Sequence, residues 1–174
     1  MEALKIIALC ILAAITYGIV HDQITARICI EYFTIGHPPV FHTTSPTLLG
    51  LGWGVIATWW VGLFLGVPLA LAARCGTRTR LTAAQLTPSI AKLLVVMACA
   101  AFLAGLMGFI LASRGTIQLP DFMAGSIPSN HRVGFMADWW AHSASYLSGF
   151  VGGMVVIVWS WRKRRILTPE PSVS

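Results

Sequence analysis

Residues 48–73 read LLGLGWGVIATWWVGLFLGVPLALAA, 26 positions without one charged side chain. A helix needs roughly 20 apolar residues to cross a hydrocarbon core about 30 Å thick, and lipid offers no water to satisfy the backbone of an open sheet. This stretch is therefore a membrane-crossing helix. Outward from it lie three more apolar stretches, Leu4 to about Ala26, Leu93 to Ala112, and about Trp139 to Trp161. Only 10% of the 174 residues are charged, against roughly 25% in soluble domains. The expected fold is all-α, a polytopic membrane protein with a four-transmembrane-helix bundle. Residues 1–167 form that domain and 168–174, with Pro169 and Pro171, a disordered tail.

The net charge of +6 does not point to nucleic acid, because its distribution has a simpler cause. Nine of the twelve basic residues flank the helices on one side: Lys5, Arg74, Arg78, Arg80, Lys92 and Arg162 to Arg165. Positive charge is retained in the cytoplasm, so both ends of the chain and the second loop are expected there, in a bacterial inner membrane. The apolar run after Lys5 resembles a secretory signal, but Leu12-Ala13-Ala14 is not a small-x-small cleavage site and Leu9 is large for a lipoprotein signal before Cys10. It is read as a retained first helix. Cys10, Cys29, Cys75 and Cys99 lie in separate segments and imply no disulfide framework.

Small residues recur every fourth position in the second helix (Gly50, Gly54, Thr58, Gly62, Gly66) and in the fourth (Ala141, Ser145, Gly149, Gly153). Such stripes let helix backbones approach in lipid. Packing inside one bundle is the simpler reading and a homo-oligomer seam the alternative. Pro68 is expected to kink the second helix. Gly50, Gly52 and Gly54 are not a phosphate loop, since no strand precedes them and no Lys-Ser/Thr follows.

The chemistry sits at the opposite side from the arginines. All five histidines (His21, His37, His42, His131, His142) and four of six carboxylates (Asp22, Glu31, Asp121, Asp138) fall in the outer loops or outer helix ends. His131, Asp138 and His142 are spaced by seven and four, which puts them on one helical face with Tyr146 a turn deeper. Tyr17 and His21 are one turn apart on the first helix. Imidazole with carboxylate suits zinc, iron or manganese, and facing helices of a bundle can supply such ligands. The candidate metal ligands are His21, His131, Asp138, His142 and His37, with Asp22 and Glu31 as catalytic proton acceptors or as further ligands and partners that orient an imidazole. The competing structural reading makes His21 and His142 interfacial histidines bonded across the helix ends. Arg132 is expected to pair with Asp138, Asp121 or lipid phosphate, and the stiff Gly36–Pro46 loop to act as a lid.

Three runs carry a resemblance: His21-Asp22-Gln23-Ile24-Thr25-Ala26-Arg27, Glu31-Tyr32-Phe33-Thr34-Ile35-Gly36-His37-Pro38 and Ala57-Thr58-Trp59-Trp60-Val61-Gly62. The chain resembles a family of small bacterial integral membrane proteins known only as uncharacterised, which implies the membrane fold and no activity. The functional expectation is a multi-pass inner-membrane protein with a histidine and carboxylate site at its extracytoplasmic face, a metal-dependent membrane enzyme acting on a lipid-phase or periplasmic small molecule. Haem between facing histidines is the alternative cofactor. A proton- or ion-coupled transporter and a non-catalytic subunit of a membrane complex are the alternative functions.

Overall fold

The structure is a computed structural model, describing residues 1–167; the expected tail at 168–174 lies outside the described residues. Four helical spans are long and apolar enough to cross a membrane, and no strand occurs among the described residues. The chain is an all-α, four-helix polytopic membrane bundle.

The first span is α1 (Glu2–Ile28), followed by the single turn α2 (Glu31–Thr34). The second span is broken into α3 (Pro46–Ile56) and α4 (Trp59–Arg74). The break falls where the Thr58 hydroxyl donates to the Gly54 carbonyl at 2.5 Å, taking an acceptor that the i+4 backbone amide would otherwise use. The helix runs without interruption through Pro68, so the discontinuity lies ten residues before the expected proline kink. The third span, α5 (Ala83–Ser113), starts well before Leu93, because Thr82 and Gln85 form a capping box that holds a polar first turn beyond the apolar stretch. After the short α6 (Asp121–Ala124) and a 3₁₀ turn (Ser129–His131), α7 (Arg132–Leu167) forms the fourth span and extends past Trp139 and Trp161 at both ends.

The glycine stripe of the second span packs on α1. A Cβ at Gly54 would lie 2.5 Å from the Ile19 Cα, and one at Gly62 would lie 2.6 Å from the Ile11 Cα. Glycine is needed there because backbone meets backbone. Helix α5 packs chiefly along α7, while α1 touches α5 much less than it touches α3 and α4. The outer surfaces expose large apolar side chains along every span, including Leu12, Phe64, Phe102 and Leu147, as lipid-facing helices do.

The two ends of the bundle differ. At one, the start of α1, the α4–α5 connection and the end of α7 converge over a core of Ile6, Leu69, Leu81 and Leu86. Arg164 is 2% exposed there. It donates to the carbonyls of Ala72 (2.7 Å), Thr79 (2.7 Å) and Arg78 (3.0 Å), which closes the end of α4. The Arg78 guanidinium lies over the Trp161 ring at 4.9 Å. At the other end, α2 and residues 36–45 fold over α1, α3 and α7, and every histidine sits there.

Candidate functional site

His21 lies seven residues before the end of α1, roughly 10 Å below it at 1.5 Å per residue, and Asp22 follows. From α7, Asp138 and His142 face them one turn apart. The His142 Nδ1 lies 2.8 Å from the Asp138 carbonyl oxygen, four residues back in its own helix. A carbonyl can only accept, so Nδ1 carries a hydrogen and Nε2 is the ring nitrogen that faces α1. That Nε2 stands 3.2 Å from Asp22 Oδ1. A proton or a cation must lie between them. The His21 ring meets His142 edge-on, with centroids 4.4 Å apart, and His21, Asp22 and His142 each place a ligand atom within 4.8 Å of the others.

Two further features are unusual for an interior. Both carboxyl oxygens of Asp138 are buried without a hydrogen-bond partner, as is His21 Nε2. The Cys29 amide lies toward Asp138 but already donates to the Thr25 carbonyl at 3.0 Å. Unpaired buried polar atoms ordinarily cost about 1–3 kcal/mol each, so the site holds polar capacity that the fold itself does not use.

The outer side is covered by aromatics. Tyr32 stacks on His142 with centroids 4.4 Å apart, and Phe33 approaches it at 5.9 Å. His37 donates from Nδ1 to the Tyr32 carbonyl (2.7 Å) and packs on Trp53 at 4.5 Å between centroids. Burial holds the His37 ring below its ordinary value of 6.5, so it is a neutral brace for the cover. Deeper in, Ser145 donates to the Tyr17 hydroxyl at 2.8 Å, tying α1 to α7 under the histidines.

The remaining candidates are placed elsewhere. His131 Nδ1 pairs with Glu31 Oε1 at 2.6 Å, and the Cys29 thiol donates to Glu31 Oε2 at 3.3 Å. The 3₁₀ turn before α7 takes His131 off the helical register that places Asp138 and His142 inward. Burial, then the Glu31 hydrogen bond, pushes the Cys29 thiol up to about 12, so without a metal it stays protonated. Arg132 pairs with none of the expected acids. It donates to the carbonyls of Ile127 (3.1 Å) and Ala124 (2.5 Å), folding the loop ahead of its own helix. Tyr146, expected on the inward face, is 46% exposed, and Ser145 takes that place. Sequence alone assigned Tyr32 no role as the cover on His142; its only signal was an aromatic pair within a polar outer loop.

Compared with known proteins, the chain matches no family model, no curated protein and no solved structure.

Proposed function

We propose that the chain is a bacterial inner-membrane metalloprotein in which His21, Asp22 and His142 hold one divalent transition ion, zinc, iron or manganese, at the extracytoplasmic end of the bundle. The observation that carries this reading is the cluster itself: His142 Nε2 stands 3.2 Å from Asp22 Oδ1, and a His21 ring nitrogen lies within 4.8 Å of both ligand atoms. One proton would serve that pair but leave His21 Nε2 without a partner, whereas one ion serves all three. Ligand atoms about 2.1 Å from a common ion stand roughly 3–4 Å apart, so the set needs a closure of about 1 Å. Two histidines and one carboxylate leave coordination positions open, as catalytic sites require. A bound ion would polarise a substrate oxygen or activate water. The orientation rests on the basic residues gathered at the opposite end.

Elemental analysis of protein expressed with all three metals available, and purified without chelators, tests the reading. One equivalent of metal is expected, lost in His142→Ala, His21→Ala and Asp22→Ala and retained in His131→Ala and His42→Ala. Wild-type protein without stoichiometric metal would overturn it, and a haem absorption spectrum would replace it with an electron carrier. Reporter fusions after His42 and Arg80 test orientation: a periplasm-active reporter working only after Arg80 would invert it.

A further inference from the structure

Between α1 and α5 a cavity of about 480 Å³ opens on the lipid-facing side of the bundle. It exists because α5 leans on α7 through small residues, Ala101 and Gly105 against Ala137 and Ala141, and leaves α1 standing off. Its size falls in the usual range for small-molecule sites, about 300–1,000 Å³. In a bilayer the plain expectation for such a gap is an acyl chain from a neighbouring lipid. Two wall residues argue against so passive an occupant. His21 and Asp138 both line the cavity, and both bring buried polar atoms that nothing in the fold satisfies. A hydrocarbon chain could not satisfy them either.

The geometry points to a binding site for an uncharged, hydroxyl-bearing lipid, which enters sideways from the bilayer and sets its hydroxyl between Asp138 and His21. This rests on reading the His21, Asp22 and His142 cluster as the functional centre, and it names the class of molecule that reaches it. A hydroxyl donates and accepts at once, so it can donate to the Asp138 carboxylate while its oxygen faces His21 or an ion held there. An acidic head group fits poorly. Among the described residues no lysine or arginine lines the cavity, so an acidic head group would be buried with no cation to pair with. The route from the aqueous side is closed by Tyr32 and Phe33 over His142. The lateral mouth is framed by exposed apolar side chains, Ile24, Phe102 and Phe109 among them, which suit a hydrocarbon body. Long-chain alcohols, isoprenoid alcohols and alkyl hydroquinones share this chemistry.

The test uses the full-length protein in detergent with a hexadecanol probe bearing a mid-chain diazirine. Photolysis should place the label on the α1 and α5 residues around the mouth. Unlabelled hexadecanol, farnesol or a decyl hydroquinone should compete, and whichever competes best identifies the source. Hexadecane and palmitic acid should compete at least roughly tenfold less well, the value of one good polar contact. Ala98→Trp, at an exposed α5 position lining the cavity, should abolish labelling while leaving metal content and melting unchanged. Asp138→Asn should weaken hydroxylated competitors without improving hexadecane. Equal competition by hexadecane, or labelling that survives Ala98→Trp, would overturn the inference and leave a lipid-filled gap. Specific labelling of wild-type protein that lacks metal would instead sink the metal reading and leave the cavity as the ligand site.

Discussion

The two ends of this bundle each bury an ionisable side chain, and they treat it in opposite ways. At the basic end the Arg164 guanidinium is enclosed, and three carbonyls left over at the end of α4 and in the following loop accept from it. At the histidine end Asp138 is equally enclosed, and neither carboxyl oxygen has a partner. Buried ions are tolerated when their hydrogen-bonding capacity is met. The first arrangement is architecture, because the protein supplies both sides of every contact. The second is an incomplete set that an ion or ligand would complete. Arg78 Nη1 is also without a hydrogen-bond partner, but its cation rests on Trp161, so the contrast between the ends holds.

If that distinction is right, replacing the ionisable side chain by leucine should act in opposite directions at the two ends. Arg164→Leu strands three carbonyls and should cost on the order of 3 kcal/mol, seen as a large fall in melting temperature in detergent. Wild-type melting would show that the arginine is not structural. Packing comes next. Gly62→Leu should cost about 1–3 kcal/mol, because its neighbours are the backbone of Cys10 and Ile11. Gly149→Leu should cost less, since a Cβ there first meets the flexible end of Met97 at 2.9 Å. Equal losses would mean that α5 and α7 have no room to adjust. Asp138→Leu, measured after chelation, should leave melting unchanged or raise stability by about 1 kcal/mol. A large loss there would move Asp138 into the architecture and erase the contrast.

The smallest effect sharpens the boundary of the site. Burial alone would raise the Glu31 carboxyl, but hydrogen bonds from His131, its own backbone and Cys29 outweigh it and hold the group below its ordinary 4.5. A folded-state value below the unfolded one stabilises above about 4.5 and is lost as pH falls through the folded value. Melting temperature should therefore drop on acidification below that range, and Glu31→Gln should flatten this part of the profile while metal content stays at wild-type level. Metal loss in Glu31→Gln would extend the centre outward to the Glu31–His131 pair.

The spans were legible because hydrocarbon thickness sets a length that charge-free sequence reports directly. Their ends were not, since helix can continue through polar turns once it leaves the apolar layer. The Ala83–Lys92 turns show this. Part of the site was equally readable. Spacing put Asp138 and His142 on one face of α7, because helical periodicity is rigid over two turns, whereas the approach of His21 from α1 is set by helix packing. Local geometry rearranged the rest. Asp22, expected as proton acceptor or further ligand, stands 3.2 Å from His142. His131 leaves the face because its turn is 3₁₀. Glu31 and His37 are held by α2 and the cover, whose path depends on tertiary contacts with Trp53 and Phe135.

The glycine contacts between α1 and the second span carry a consequence for biogenesis. Neighbours in sequence are neighbours in space: α1 closes on α3 and α4, and α5 closes on α7. Each hairpin can form as it leaves the insertion machinery, without waiting for the other. The His21, Asp22 and His142 centre belongs to neither hairpin, because it joins the first helix to the last. It can arise only when the second hairpin docks on the first, after synthesis has passed Arg164 and that side chain has fastened α7 to the α4–α5 loop. A chain severed between Gly76 and Arg80 and expressed as two pieces should therefore insert as two hairpins, each without metal, and regain the ion only where both are present in one membrane.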